Sequence, residues 1–195
     1  MNDSHLLPEL SLYVDRFRLN PRDVAVARAL TYFDAGKSQA IASGFCCSSM
    51  EIEWAIHVSH ATSDDYATHV IQIDEDVVDL ARSHEKWPVK SSFRNLDAHV
   101  ARLIHSVWVT VLKDVRYGNS PQKEGRAFHF SAVHETAGIL CGRTTAPDLN
   151  TAPGEMVALT AAIFNYTMLP PRDPDSDLAE IRRRISWFEN AGLLR

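Results

Sequence analysis

Two stretches of this chain alternate polar and apolar residues with a period of two. In residues 51–60 (EIEWAIHVSH), Ile52, Trp54, Ile56 and Val58 fall on one side and Glu51, Glu53, His57 and Ser59 on the other. This is the pattern of a half-buried strand. Residues 126–133 (RAFHFSAV) repeat it, with Phe128, Phe130 and Ala132 against His129 and Ser131. A weaker alternation predicts a first strand over 11–19, and residues 69–73 predict a short one.

Helical spacing marks other segments. Asn20 suits an N-cap and Pro21 the first helical position, Val26, Leu30 and Phe33 form a stripe, and Gly36 offers a stop. The helix is expected to resume over 40–42, with 44–49 as a turn or loop. Ser63, Asp64 and Asp65 suit a turn, and Asp74 suits the cap of a helix running through Ala81 and ending before Pro88. The strongest helical signal covers 96–115, with Leu96, Val100, Leu103, Val107 and Val111 as its inner stripe, widened by Ile104, Trp108 and Leu112. Residues 118–125 and 143–154 are loops by composition, and 138–142 extend the sheet. Residues 156–169 are apolar and alanine-rich, which favours a helix and leaves a buried strand open. A stiff polar connector over 170–177 leads to an amphipathic helix with Leu178, Ile181, Ile185 and Phe188 inside and Arg182–Arg184 outside. No solenoid-type repeat is present. The expected architecture is one α+β domain over 1–195, with a mixed or antiparallel sheet and flanking helices.

Composition changes this picture little. At 195 residues, 45% apolar and 23% charged, the chain is sized and composed as one ordinary globular domain. A net charge of −5 gives no global basic field for nucleic acid but leaves room for a small anion in a local pocket. Cys46, Cys47 and Cys141 have no spacing that suggests a disulfide framework or a zinc knuckle. Residues 1–10 lack the charged and apolar halves of a signal peptide, and the longest apolar stretch, 156–164, is short of the ~20 residues a bilayer needs. A cytoplasmic protein without a membrane partner is the expectation.

The candidate chemistry lies on the polar sides of the two alternating strands. Residues i and i+2 share a strand face, so His57 and Ser59 point together, as do His129 and Ser131. Near neutral pH one imidazole can be neutral and another protonated, which suits general base and general acid at a phosphodiester. The serines suit hydrogen bonding to phosphate oxygens, and the scheme requires neither metal nor cofactor. Both histidines are needed within about 5–8 Å of each other at a cleft.

The motifs His57-Val58-Ser59-His60-Ala61 and His129-Phe130-Ser131-Ala132-Val133 resemble the paired His-apolar-Thr/Ser-x-apolar motifs of the 2H phosphoesterases. These include the RNA ligase-like and cyclic phosphodiesterase enzymes. The resemblance implies a bilobal fold with a central cleft. It also implies hydrolysis of a cyclic phosphate, or of a 2′–5′ or 3′–5′ linkage, in a nucleotide or RNA end. The chain departs in having serine where threonine is commoner, His60 and Ala132 where a leucine often follows, and His134 where arginine often does. The resemblance covers only the middle of the chain.

Plainer readings compete. Each histidine and serine also suits an ordinary sheet position, and acidic Glu51 and Glu53 share the face of His57. His60 and His134 have the wrong parity to join His57 and His129, which also disfavours metal clusters built on His57, His60 and His69 or on His129, His134 and Glu135. Cys46 and Cys47 suit buried thiols better than a nucleophile. Arg182–Arg184 suit a solvated helix face, and Trp54, Phe128 and Phe130 a core. Arg126 and Arg143 flank the second motif, and either suits a phosphate. The alternative function is a non-catalytic α+β protein that binds a protein partner, of inhibitor or immunity type.

Overall fold

A computed structural model describes residues 7–8, 40–47, 54–62, 65–73, 89–115, 125–171 and 173–194. The described elements are β1 (Leu7–Pro8), β2 (Ala40–Cys47), β3 (Trp54–His60), β4 (Tyr66–Ile73), β5 (Val89–Leu96), α1 (Ala98–Lys113), β6 (Ala127–His134), β7 (Gly138–Thr145), α2 (Ala152–Met168) and α3 (Pro174–Asn190). The strands form one antiparallel sheet in the order β1-β7-β6-β2-β3-β4-β5. The chain is therefore α+β, as its alternating and helical segments imply. Both histidine strands belong to a single continuous sheet, with β2 between them, where the family resemblance implied two lobes.

The three described helices cover one face of this sheet. The core joins Ile56, Val58, Val70, Phe128 and Phe130 of the sheet to Val100, Ile104, Trp108, Leu159, Ile163, Ile181 and Phe188 of the helices. Of the stripe anticipated on 96–115, Val100, Ile104, Val107, Trp108, Val111 and Leu112 are buried on α1 while Leu103 is only partly buried, and on 178–188 Leu178, Ile181, Ile185 and Phe188 are all buried. Asp97 fixes the start of α1 by accepting the Val100 N–H at 3.0 Å, so Leu96 ends β5 instead of opening the helix. Residues 156–169 are helical, as favoured, but α2 begins earlier, at Ala152. Thr151 caps it and Pro153 lies in its first turn. Asp173 likewise caps α3 and shortens the expected connector.

Two expectations fail. Residues 40–42 do not continue a helix and 44–49 are not simply a loop: 40–47 form β2, the strand between β3 and β6. Its small residues imitate a turn in sequence, but they suit a strand closed on both sides. Gly44 shows the reason, since a Cβ there would lie 3.0 Å from Thr160 Cγ2 of α2. The second is β5, which was not anticipated. Its sequence, VKSSFRNL, carries no apolar stripe, and among the described residues the strand lies at the sheet edge. The expected strand over 11–19 and the helices beginning at 21 and 74 lie outside the described residues.

Ion pairs fasten the helices to one another and to the sheet. Arg94 of β5 donates to the Tyr166 carbonyl at 2.7 Å, pairs with Asp177 of α3, and lies 4.0 Å from the Tyr166 ring centroid. Burial raises the pKa of the Tyr166 phenol, against the opposing effect of Arg94. Arg184 of α3 donates to the buried Glu155 carboxylate of α2 at 2.9 Å.

Candidate functional site

Directly opposed residues of an antiparallel ladder share a face, so the register alone assembles the surface away from the helices. One row across the sheet runs Phe93, His69, His57, Ser43, Ser131, Cys141. The next runs Ser91, Ile71, Ala55, Phe45, His129, Arg143. Ser59 lies one step beyond His57 on β3, close to a register shift between Ala40 and Ala42. His57, Ser59, His129 and Ser131 therefore all stand on one face.

They do not stand as two equal pairs. Ser131, from the second motif, lies in the row of His57, while His129 lies in the row of Arg143. By strand spacing and rise, His57 and His129 are about 12 Å apart at the backbone, across β2 and two residues along it. Residues of β2 fill the interval. Ser43 Oγ lies 2.9 Å from His57 Nδ1. The Phe45 ring is stacked on His129, with centroids 4.5 Å apart and planes within 2°. Both histidines and Ser59 are 5% exposed, and Ser131 is half-buried.

The Ser43 contact sets what His57 can do. A hydroxyl that accepts from Nδ1–H fits both working states, the neutral ring with Nε2 as base and the imidazolium with Nε2–H as acid, whereas a hydroxyl that donates to Nδ1 goes with the neutral ring whose proton is on Nε2. Either way the ring plane is held.

Arg143 is the second addition. It is half-buried, directly opposite His129 and on the same face, and among the described residues it forms no ion pair. A cation in that position favours an anion alongside His129. The sequence showed that Arg143 flanks the second motif, but not that its parity within β7 matches that of His129 across the ladder. Ser43 had no sequence signal beyond its place in a small-residue segment.

The remaining candidates lie elsewhere. The His60 ring packs against Tyr66, with centroids 4.4 Å apart and planes tilted by 38°. His134 Nδ1 accepts backbone N–H groups from Thr136 and Ala137 in the β6–β7 turn. His105 Nε2 contacts the Val133 carbonyl at 2.7 Å. Among the described residues no three His, Cys, Asp or Glu side chains converge as metal ligands. Cys46 is buried on the helix side. Arg182 and Arg183 are exposed on α3, and Arg126 is exposed just before β6. No described helix is long and apolar enough to cross a membrane. No family model, curated protein or solved structure matches this chain.

Proposed function

We propose that the chain is a phosphodiesterase that acts on a cyclic phosphate or an internucleotide linkage, with His57 and His129 as the acid–base pair. The observation that carries this reading is the half-buried Arg143 beside His129, on the face that also bears His57, Ser43, Ser59 and Ser131. Near Arg143 and β2 that face offers the imidazoles of His57 and His129 and the hydroxyls of Ser43, Ser59 and Ser131, with a third imidazole, His69, opposite His57. In-line displacement puts the attacking and leaving oxygens on opposite sides of phosphorus, and from a ~12 Å backbone separation the imidazoles come within the required ~5–8 Å only if both rings lean toward each other over β2. One histidine takes the proton of an attacking water, the water oxygen bonds to phosphorus, and the ester P–O bond breaks. The other histidine protonates the leaving oxygen. Arg143 neutralises the phosphate, and the serines hold its non-bridging oxygens.

The test is turnover of a 2′,3′-cyclic nucleotide and a short 2′–5′ oligonucleotide with chelator present. The expected result is a bell-shaped pH profile and a loss of about 10²–10⁴-fold in His57→Ala and in His129→Ala. Arg143→Met is expected chiefly to raise KM. Turnover that survives both histidine substitutions would falsify the assignment.

A second reading is a non-catalytic binding protein, in which the imidazoles are interior packing. The observation favouring it is the 5% exposure of both rings. Absence of turnover on every phosphodiester offered, with both histidine variants losing stability, decides for it.

A further inference from the structure

The helix side of the molecule carries a cleft of its own. Arg183, Arg184, Trp187 and Asn190 of α3 meet Glu155 of α2 and Asn150 of the loop before it, and together they line a space of about 440 Å³. That volume falls in the range of small-molecule sites. Its walls are firmly set. A Cβ at Gly154 would stand 2.2 Å from the Asp148 carbonyl oxygen, so the loop is pressed onto the first turn of α2. Thr151 caps that turn and donates to the same carbonyl at 2.6 Å. Trp187 is half-buried against the core, edge-on to Phe188 with centroids 5.1 Å apart. Glu155 is the residue that points to a ligand. Its side chain is 7% exposed. Oε2 accepts from Arg184 Nη1 at 2.9 Å, and among the described residues no donor reaches Oε1. A buried carboxylate oxygen without a donor is costly, and a group bound in the cleft can supply one.

We infer that this cleft binds a neutral sugar, with one pyranose ring against Trp187 and a hydroxyl donating to Glu155 Oε1. The charges around the cleft select that class. Arg183 gives Nε and Nη2 to Glu180, while Arg184 gives Nε to Glu180 and Nη1 to Glu155. Both guanidiniums are thus already paired with carboxylates, so an anionic ligand gains little from them and is repelled by Glu155. A cationic ligand meets the two arginines instead. One oxygen of Glu155 is committed to Arg184, so a group that needs both carboxylate oxygens, such as a guanidinium or a guanine edge, finds only one. A hydroxyl needs one acceptor and itself accepts, which suits Oε1 together with the arginine N–H groups and the exposed Asn150 and Asn190 amides. The C–H side of a pyranose supplies the apolar surface that the Trp187 ring can cover. The cleft lies on the helix side of the sheet, away from the face of His57 and His129, and the inference does not depend on the phosphodiesterase reading.

Nitrogen–proton NMR of the whole chain, titrated with glucose, galactose, mannose and N-acetylglucosamine, tests this. At least one sugar is expected to shift the Trp187 indole resonance (assigned from Trp187→Phe) with a Kd of about millimolar, the weak range proper to a single ring with few contacts. Trp187→Ala, Glu155→Gln and Asn190→Ala are each expected to weaken that binding about tenfold. Asn190 is exposed at the end of α3 and outside the core, so Asn190→Ala keeps the test decisive if either of the other variants disturbs the fold. No shift with any of the four sugars at ~100 mM, or binding unchanged in Asn190→Ala and Trp187→Ala, overturns the inference. Adenosine, inorganic phosphate or methylguanidinium binding at Trp187 in place of a sugar overturns it as well.

Discussion

On the helix side of β3, Trp54, Ile56 and Val58 meet the large side chains of Phe128, Phe130 and Phe164 and the helices behind them. On the other side of the same strand, Ala55, His57 and Ser59 are equally buried, but their neighbours are Phe45, Ser43 and His69. One face carries large apolar groups throughout, and the other mixes Phe45, Ala55 and Ile71 with three imidazoles and several hydroxyls. Apolar burial stabilises in proportion to area, whereas a buried polar group stabilises only if it is hydrogen-bonded. The helix face should therefore dominate folding, and the polar face should tolerate change at modest cost in stability while carrying whatever chemistry the protein has.

The largest expected effect lies on the helix face. Trp108 is fully buried, packs edge-on to Phe130 with centroids 6.1 Å apart, and its Nε1–H donates to the Ser43 carbonyl at 2.9 Å. It thus supports from one side the residue that holds His57 on the other. Trp108→Ala should cost about 3–5 kcal/mol in urea unfolding. Trp108→Phe keeps most of the volume and loses the hydrogen bond, so it should cost roughly half as much or less. Equal costs for the two variants would show that the hydrogen bond to β2, not the packing, ties the faces together.

The contrast between faces also explains what could be read from the residues alone. Parity placed Trp54, Ile56 and Val58 opposite His57 and Ser59, and helical spacing marked the stripes of α1 and α3, because a large buried area leaves a periodic trace. β2 left none, since a strand closed on both sides can be built from Ala, Ser, Gly and Cys. β5 left none either: among the described residues it is an edge strand, and such a strand needs no apolar stripe. The position of Arg143 beside His129 is a property of pairing across the ladder, which no single strand encodes. Burial of the histidines was hidden for the same reason.

A smaller effect is expected on the polar face. Ser43→Ala removes one hydroxyl next to His57 Nδ1 and should cost about 1 kcal/mol. Ser43 acts on His57 through orientation, so under the phosphodiesterase reading its loss should lower kcat about tenfold, shift the pH profile, and leave KM nearly unchanged. Ser43→Thr should restore part of the activity, since it returns the hydroxyl. A stability loss near that of Trp108→Ala would erase the distinction between the faces.

The smallest effect lies outside both faces, where charge fastens α3. Hydrogen bonds from Arg183, and then from Arg184, hold the Glu180 carboxyl down at about 2, against an ordinary value of 4.5. Because the folded pKa lies below the unfolded one, this contribution is fully present above about pH 5 and is lost as pH falls toward 2. Glu180 is 47% exposed, so solvent screening reduces the contribution to a few tenths of a kcal/mol. Glu180→Gln should therefore lower the unfolding midpoint slightly at pH 7 and converge with the wild type as pH approaches 2. Raising the salt concentration should shrink the pH 7 difference further. Arg184 has a second carboxylate, the buried Glu155, so the contact between α2 and α3 should survive the substitution. If Glu180→Gln instead unfolds the protein below pH 5 while the wild type stays folded, the helices are held to the sheet by charge more than by the apolar face beneath them.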